Sequence, residues 1–156
     1  GKAFDHVTLN FFYRGQAEAD KITFTYDPAT NLLLRKQDGY TFKTRMPSTA
    51  SGKSPKTANY HVQDLTVQNL IVQHVSYRDI AGDAKGRRNA ELTGTGRCEY
   101  FVNGKYMTGT WARPSYEEPT TYLLDGGEVV TLEPGRTWIA MHPDNAEESP
   151  VNVTYR

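Results

Sequence analysis

The sequence predicts an all-β fold: an antiparallel sandwich or partly open barrel of about ten short strands joined by hairpins. Three observations carry this. Short runs rich in Tyr, Phe, Val, Thr and Leu recur along the chain and are separated by turn residues. Asp38-Gly39, Asn103-Gly104 and Asp125-Gly126-Gly127 sit between such runs and supply the positive φ angles that tight hairpin turns need. No window sustains a 3.6-residue apolar period over three turns. Residues 17–21 and 59–64 can each hold a single helical turn at most.

Val7, Leu9 and Phe11 alternate with Thr8, Asn10 and Phe12, which predicts a first strand ending near Arg14-Gly15. Ile22, Phe24 and Tyr26 alternate with Thr23 and Thr25 in a second strand that stops at Asp27-Pro28. A third runs over 32–36, and Asp38-Gly39 turns it into a fourth at 40–43. Residues 47–57, rich in Ser, Thr, Gly, Lys and Pro, read as a long exposed loop. The block 66–80 is the most apolar, and both of its alternating registers carry large apolar residues (Leu70 and Val72; Ile71, Val75 and Tyr77). Such a strand is covered on both faces or bends across a barrel. Further strands are expected at 90–93, 97–102, 106–112, 121–124, 128–132 and 137–141. A polar, acidic tail at 143–150 precedes a last strand at 151–155.

With 156 residues the chain builds one domain, not two. Its 18 Lys+Arg balance 18 Asp+Glu, so no net field draws it to nucleic acid or to an anionic membrane, and no nucleic-acid partner is expected. Lys85, Arg87 and Arg88 lie among Gly82, Asp83 and Gly86 and read as a solvated hairpin tip. Ten Tyr, two Trp and eighteen Thr suit a pleated, half-buried surface. Cys98 is the sole cysteine, so no intramolecular disulfide forms. No apolar run approaches the ~20 residues of a membrane-spanning helix.

No catalytic set stands out. Gly52-Lys53-Ser54 ends like a phosphate-binding loop, but Pro47 stands where the motif needs its first glycine and no helix pattern follows. His6, His61, His74 and His142 lack metal-ligand spacing, so they read as structural histidines, and no metal or other cofactor is expected. Cys98, between Arg97 and Glu99, reads as a buried structural thiol.

The best candidate binding surface joins Trp111, Arg113, Tyr116, Glu117 and Glu118, with Arg136 expected nearby. Trp111 offers an aromatic face and Arg113 a planar fork, the residue types most often found as binding anchors. Pro114 and Pro119 bracket the segment and limit its freedom. The competing reading makes Trp111 core and pairs Arg113 with Glu117 or Glu118. Trp138, with Ile139 and Met141 continuing its strand, reads as a core anchor. Glu117, Glu118 and Asp125 are the carboxylates from which a glycan or peptide hydrolase would draw its acid and base.

Asn69-Leu70-Ile71-Val72-Gln73, Gly94-Thr95-Gly96, Gly109-Thr110-Trp111 and Pro134-Gly135-Arg136-Thr137-Trp138-Ile139 together resemble the C-terminal domain of the YerB-type bacterial lipoproteins. Tyr26-Asp27 and Arg35 with Asp38-Gly39 fit its early strand and turn, so the likeness covers about residues 20–143. After Gly39 the chain departs from the family's polar stretch with Tyr40-Thr41-Phe42-Lys43-Thr44-Arg45. The resemblance implies an extracytoplasmic protein held to the membrane by a lipid-modified cysteine, with a preceding domain, both N-terminal to this segment. It implies no reaction. The expected role is a non-catalytic module that binds a cell-envelope protein or cell-wall ligand. The alternatives are a cell-wall hydrolase using Glu117, Glu118 or Asp125, and a purely structural support for the preceding domain.

Overall fold

A computed structural model describes residues 1–11, 18, 20–47, 60–145 and 149–155. Among the described residues there is no helix; the fold is all-β. The strands are β1 (Lys2–Phe11), β2 (Asp20–Asp27), β3 (Leu32–Gln37), β4 (Tyr40–Thr41), β5 (Lys43–Pro47), β6 (Tyr60–Asp64), β7 (Thr66–Val67) and β8 (Asn69–Val75). They continue as β9 (Tyr77–Asp79), β10 (Arg88–Ala90), β11 (Gly94–Val102), β12 (Lys105–Arg113), β13 (Thr121–Leu124), β14 (Thr137–Pro143) and β15 (Val151–Tyr155). The main sheet runs β14-β8-β11-β12-β1-β2-β3-β4, with β13 on β12, β15 on β1 and β7 on β3. Because β7 pairs with β3 and passes through Gln68 into β8, the β3 side of the sheet is drawn back toward the opposite, β8 side. The sheet curls into an open half-barrel.

The turn chemistry explains the ladders. Asn103 and Gly104 have φ of 49° and 68°, and Val102 faces Lys105 across them. Asp38 and Gly39, at 50° and 83°, join Gln37 to Tyr40 in the same way. At the β2–β3 connection the Asp27 carboxylate accepts from Ala29 N (3.0 Å) and Thr30 Oγ1 (2.7 Å), while Asn31 takes φ 55°. The side chain caps the turn that the backbone leaves unpaired.

Every residue of β8 is buried, as its two apolar registers predict. One face meets Phe4, Val7, Leu9, Phe24, Leu33 and Phe101 inside the half-barrel. The other, carrying Ile71 and Val75, meets Cys98, Tyr100, Trp111 and Val130. Cys98 is fully buried, and burial pushes its thiol up to about 12, which makes it inert at neutral pH.

Several elements differ from expectation. β14 pairs with β8 in parallel, Thr137 facing Asn69 and Pro143 facing Val75, so the sheet is mixed rather than a pure run of hairpins. Residues 128–132 form no strand; Val129 makes one bridge to Leu123, and Val130 N donates to Tyr122 O (3.0 Å). Just beyond them, the Asn69 side chain binds Glu133 N (2.8 Å) and O (2.9 Å) and fixes the course of the chain toward β14. Residues 60–64 are strand, not a helical turn; β6 pairs with β5 as a separate ribbon. Three of its five residues in a row are exposed, so burial left no periodic mark on the sequence. Asp20 and Lys21, within the other suggested helical turn, open β2, where Lys21 N donates to Asp38 Oδ1 (2.8 Å). Of the expected 47–57 loop, Pro47 ends β5 and the remainder lies outside the described residues, as does the predicted end of the first strand at Arg14-Gly15.

Gly109 sits where β13 crosses closest to β12, and a Cβ there would overlap the Leu123 carbonyl. Gly109→Ala is expected to destabilise the fold by more than about 2 kcal/mol in urea unfolding, because the obstacle is backbone and cannot rotate away.

Candidate functional site

The structure divides the expected binding surface. Trp111 is core: it is 2% exposed, and its Nε1–H donates to His74 O at 2.8 Å. Its place opposite Gly96 puts it on the same face as Cys98 and Tyr100, beneath β13. The expectation of an exposed aromatic face at this position is therefore corrected. Arg136 is also misplaced by sequence reasoning. Arg113 faces Gly94 at one end of β11, whereas Thr137, next to Arg136, faces Asn69, which faces Val102 at the other end. The intervening strand is roughly 26 Å long. Arg136 instead donates from Nη2 to Thr66 Oγ1 (3.1 Å) and from its backbone N to Gln68 Oε1 (2.7 Å).

Arg113 stays with Tyr116, Glu117 and Glu118, but its partners are backbone. Nε donates to Glu118 O (2.9 Å) and Nη2 to Tyr116 O (2.7 Å). The guanidinium lies 5.5 Å from the Tyr116 ring centroid. One side chain at the end of β12 thus holds the shape of the loop that follows it. Tyr116 is 62% exposed, and Glu117 and Glu118 are exposed beside it. The loop presents a phenol ring and two carboxylates on a braced backbone.

Asp125 belongs elsewhere. Its carboxylate accepts from the Thr108 hydroxyl, and with Lys2 and Glu128 it lines an open cleft of about 610 Å³. Thr108 and Arg113 are five residues apart on β12, roughly 16 Å, so the β12 positions that hold Asp125 and Glu118 are too far apart for an acid–base pair across one bond.

A second group of polar residues lies inside the half-barrel, where sequence spacing gave no warning. His74 on β8 and Glu99 on β11 are 2% and 4% exposed, with Nε2 and Oε1 2.8 Å apart. Arg97 donates to Glu99 Oε1 (3.1 Å) and reaches His74 Nδ1 (3.1 Å). A guanidinium only donates, so Nδ1 accepts and Nε2 carries the proton given to Glu99. Tyr106 donates to Glu99 Oε2 at 2.9 Å, and Asp144 lies 3.7 Å from Arg97. Burial acts to raise the Glu99 carboxyl, but the bonds from His74 and Tyr106 and the nearby positive charge outweigh it and hold it below its usual value. Burial, then the Glu99 charge, pushes the Tyr106 hydroxyl up.

His142 on β14 stacks edge-on against His74, ring centroids 5.2 Å apart, and is fully buried. Nε2 lies 3.0 Å from Asn10 O and Nδ1 3.1 Å from Pro143 O. Burial first, and His74 second, lower its pKa to about 4. The network has a buried centre, His74, Glu99 and His142, and reaches solvent through Arg97 and Asp144; it holds strands β1, β8, β11 and β14 together. Among the described residues no three His, Cys, Asp or Glu side chains are grouped to hold a metal ion. The signal that could have found it is polar residues inside stretches otherwise apolar: Gln73-His74 in the most apolar block, and Glu99 between Cys98 and Tyr100.

His142 sets an acid limit. Its folded pKa lies below the unfolded value, so between pH 6.5 and about 4 the unfolded chain binds a proton that the folded chain refuses. Stability is expected to fall by about 3 kcal/mol as pH drops through that window. Glu99, also depressed, adds a further loss below it. In urea unfolding at stepped pH, His142→Gln should flatten the curve between pH 6.5 and 4 and leave the steeper loss below pH 4.

Residues 9–139 match the family described as the C-terminal domain of a protein of unknown function, DUF3048. No curated protein matches the chain. Among solved structures it is similar to the crystal structure of the YerB protein from Bacillus subtilis, with a TM-score of 0.68 and 20% identity. The match covers 97% of this chain and 44% of that one, so the chain spans less than half the length of that relative. At that identity the likeness is one of fold. With the family match extending from β1 into β14, the chain belongs to the DUF3048 C-terminal domain family, whose function is unknown.

Proposed function

We propose that the chain is a non-catalytic binding module of an extracytoplasmic, lipid-anchored bacterial protein, and that it engages a cell-wall ligand through the loop between β12 and β13. The observation that carries this reading is the Arg113 fork, which spends its donors on the carbonyls of Tyr116 and Glu118. A loop braced in this way loses little entropy when it binds. The exposed Tyr116 ring, backed by that guanidinium, is an aromatic face suited to a sugar ring or a peptide plane. Glu117 and Glu118 at its side favour a ligand with an amino group or hydroxyl donors. The extracytoplasmic setting and the lipid anchor rest on the family resemblance.

The test is co-sedimentation with purified peptidoglycan. The parent chain should pellet with the polymer, and Tyr116→Ala should weaken binding by roughly 30-fold, the loss of one aromatic anchor. Its melting temperature should stay within a degree or two of the parent, since the ring is largely in solvent. A parent chain that stays in the supernatant, or a variant that pellets equally well, would sink the reading. Arg113→Ala should show the same loss of binding although the residue need not touch the ligand, because the loop's carbonyls lose their brace.

A further inference from the structure

Arg35 on β3 carries a problem that the fold does not solve. It is 3% exposed, and its Nε and Nη1 are the buried side-chain nitrogens among the described residues that have no hydrogen-bond partner. Nη2 alone is met, by Gln37 Oε1 at 3.2 Å. No ion pair joins it to any described residue. Its backbone is fixed on both sides, Arg35 N donating to Leu65 O and Phe42 N to Arg35 O, each at 3.1 Å. The side chain therefore cannot leave by a simple shift of the strand.

Two aromatic rings stand against the guanidinium, Phe42 at 4.2 Å and Trp138 at 4.6 Å from ring centroid to Cζ. Ring faces offset part of the cost of burying the charge. They do nothing for N–H groups, which lie in the guanidinium plane and need oxygen acceptors there. Burial lowers the pKa of Arg35 from its ordinary value, yet arginine remains charged at neutral pH. A water would meet an N–H and leave the charge. An anion meets both. A planar carboxylate matches the planar fork better than a tetrahedral phosphate in a slot bounded by flat rings.

The two rings differ in exposure. Phe42 is 43% exposed and follows β4, a two-residue strand at the end of the main sheet. Its backbone is held by Arg35 O and Leu65 N, and its ring is the wall of the site that meets solvent. Trp138 by contrast is packed against the half-barrel core beside Phe24.

We propose that Arg35 is the floor of a carboxylate-binding site, entered past Phe42 and walled by Trp138. The ligand is a small free carboxylate or the acidic side chain of a partner; the recognising chemistry is the same. The site lies near the Asn69 end of β8, through Val67 and Trp138, and away from the Arg113 loop, so it stands or falls independently of the function proposed above.

The experiment follows the arginine Nε–H resonances of the uniformly ¹⁵N-labelled chain during titration with sodium acetate, with sodium chloride at equal ionic strength as reference. One resonance, identified by its loss in Arg35→Lys, should shift saturably with acetate and stay still in chloride. The melting temperature should rise with acetate in the parent and not in Arg35→Lys. If the lysine variant does not fold, Phe42→Ala identifies the resonance instead, by removing the ring current beside the guanidinium. A blocked Gly-Glu-Gly peptide that binds at least tenfold tighter than acetate marks a partner's side chain as the source, and equal affinity marks a free carboxylate. No acetate-dependent shift, or a shift with phosphate alone, overturns the proposal.

Discussion

The whole arrangement depends on one strand being buried on both faces. β8 lies between the interior of the half-barrel and the layer under β13, and all seven of its residues are shielded from water. A buried backbone is satisfied by its neighbours β11 and β14. Its polar side chains are not satisfied by that ladder, and each must find a partner or cost several times what a good contact contributes. Asn69 takes the backbone of Glu133 and the hydroxyl of Thr137. Gln73 accepts from Tyr122 at 2.9 Å, which pins β13. His74 ties itself to Glu99 and, through its carbonyl, to Trp111. The neighbouring segments are thus placed by the polar residues of β8, and the apolar ones fill the space between.

The same constraint distributes chemistry over the molecule. His74, Glu99 and His142 are hydrogen-bonded and stripped of water, which suits them to hold strands rather than to exchange protons with a substrate. Groups at the ends of the sheet are freer. At the Gly94 end Arg113 braces an exposed loop. Near the Asn69 end Arg35 is buried against two rings with donors to spare. Both are arginines, and the difference lies in what each fork meets. Arg113 finds two carbonyls in reach, and Arg35 finds one amide oxygen.

Individual residues show what was legible. The two apolar registers of 66–80 forecast a strand covered on both sides, because burial on two faces leaves a two-sided mark. Asn103-Gly104 and Asp38-Gly39 forecast hairpins, because positive φ is a local demand met by local residue type. Residues 128–132 looked equally strand-like and are not: they touch β13 through the Val129–Leu123 bridge and the bond from Val130 N to Tyr122 O, and just beyond them Asn69, about sixty residues away in the chain, takes the backbone of Glu133. β5 and β6 gave no signal, since a ribbon largely in solvent needs no apolar face. Of the candidate site, Arg113, Tyr116, Glu117 and Glu118 are adjacent in sequence and remain together in space. Arg136 and Asp125 were joined to them by chemistry alone, and the sheet carries them elsewhere.

By itself the sequence determined the all-β class, the hairpin turns, the strand covered on both faces and the family, all of which rest on local conformational preference, alternation and short phrases. Tertiary structure decided the parallel docking of β14, the inward turn of Trp111, the His74–Glu99–His142 network and the isolation of Arg35. Each of these is set by which strand lies beside which. His74 and Glu99 are 25 residues apart, and Asn10 and His142 are 132 apart. No local preference encodes such a meeting; it follows from the closure of the sheet, where burying the most apolar surface brings the few polar groups caught inside within bonding distance.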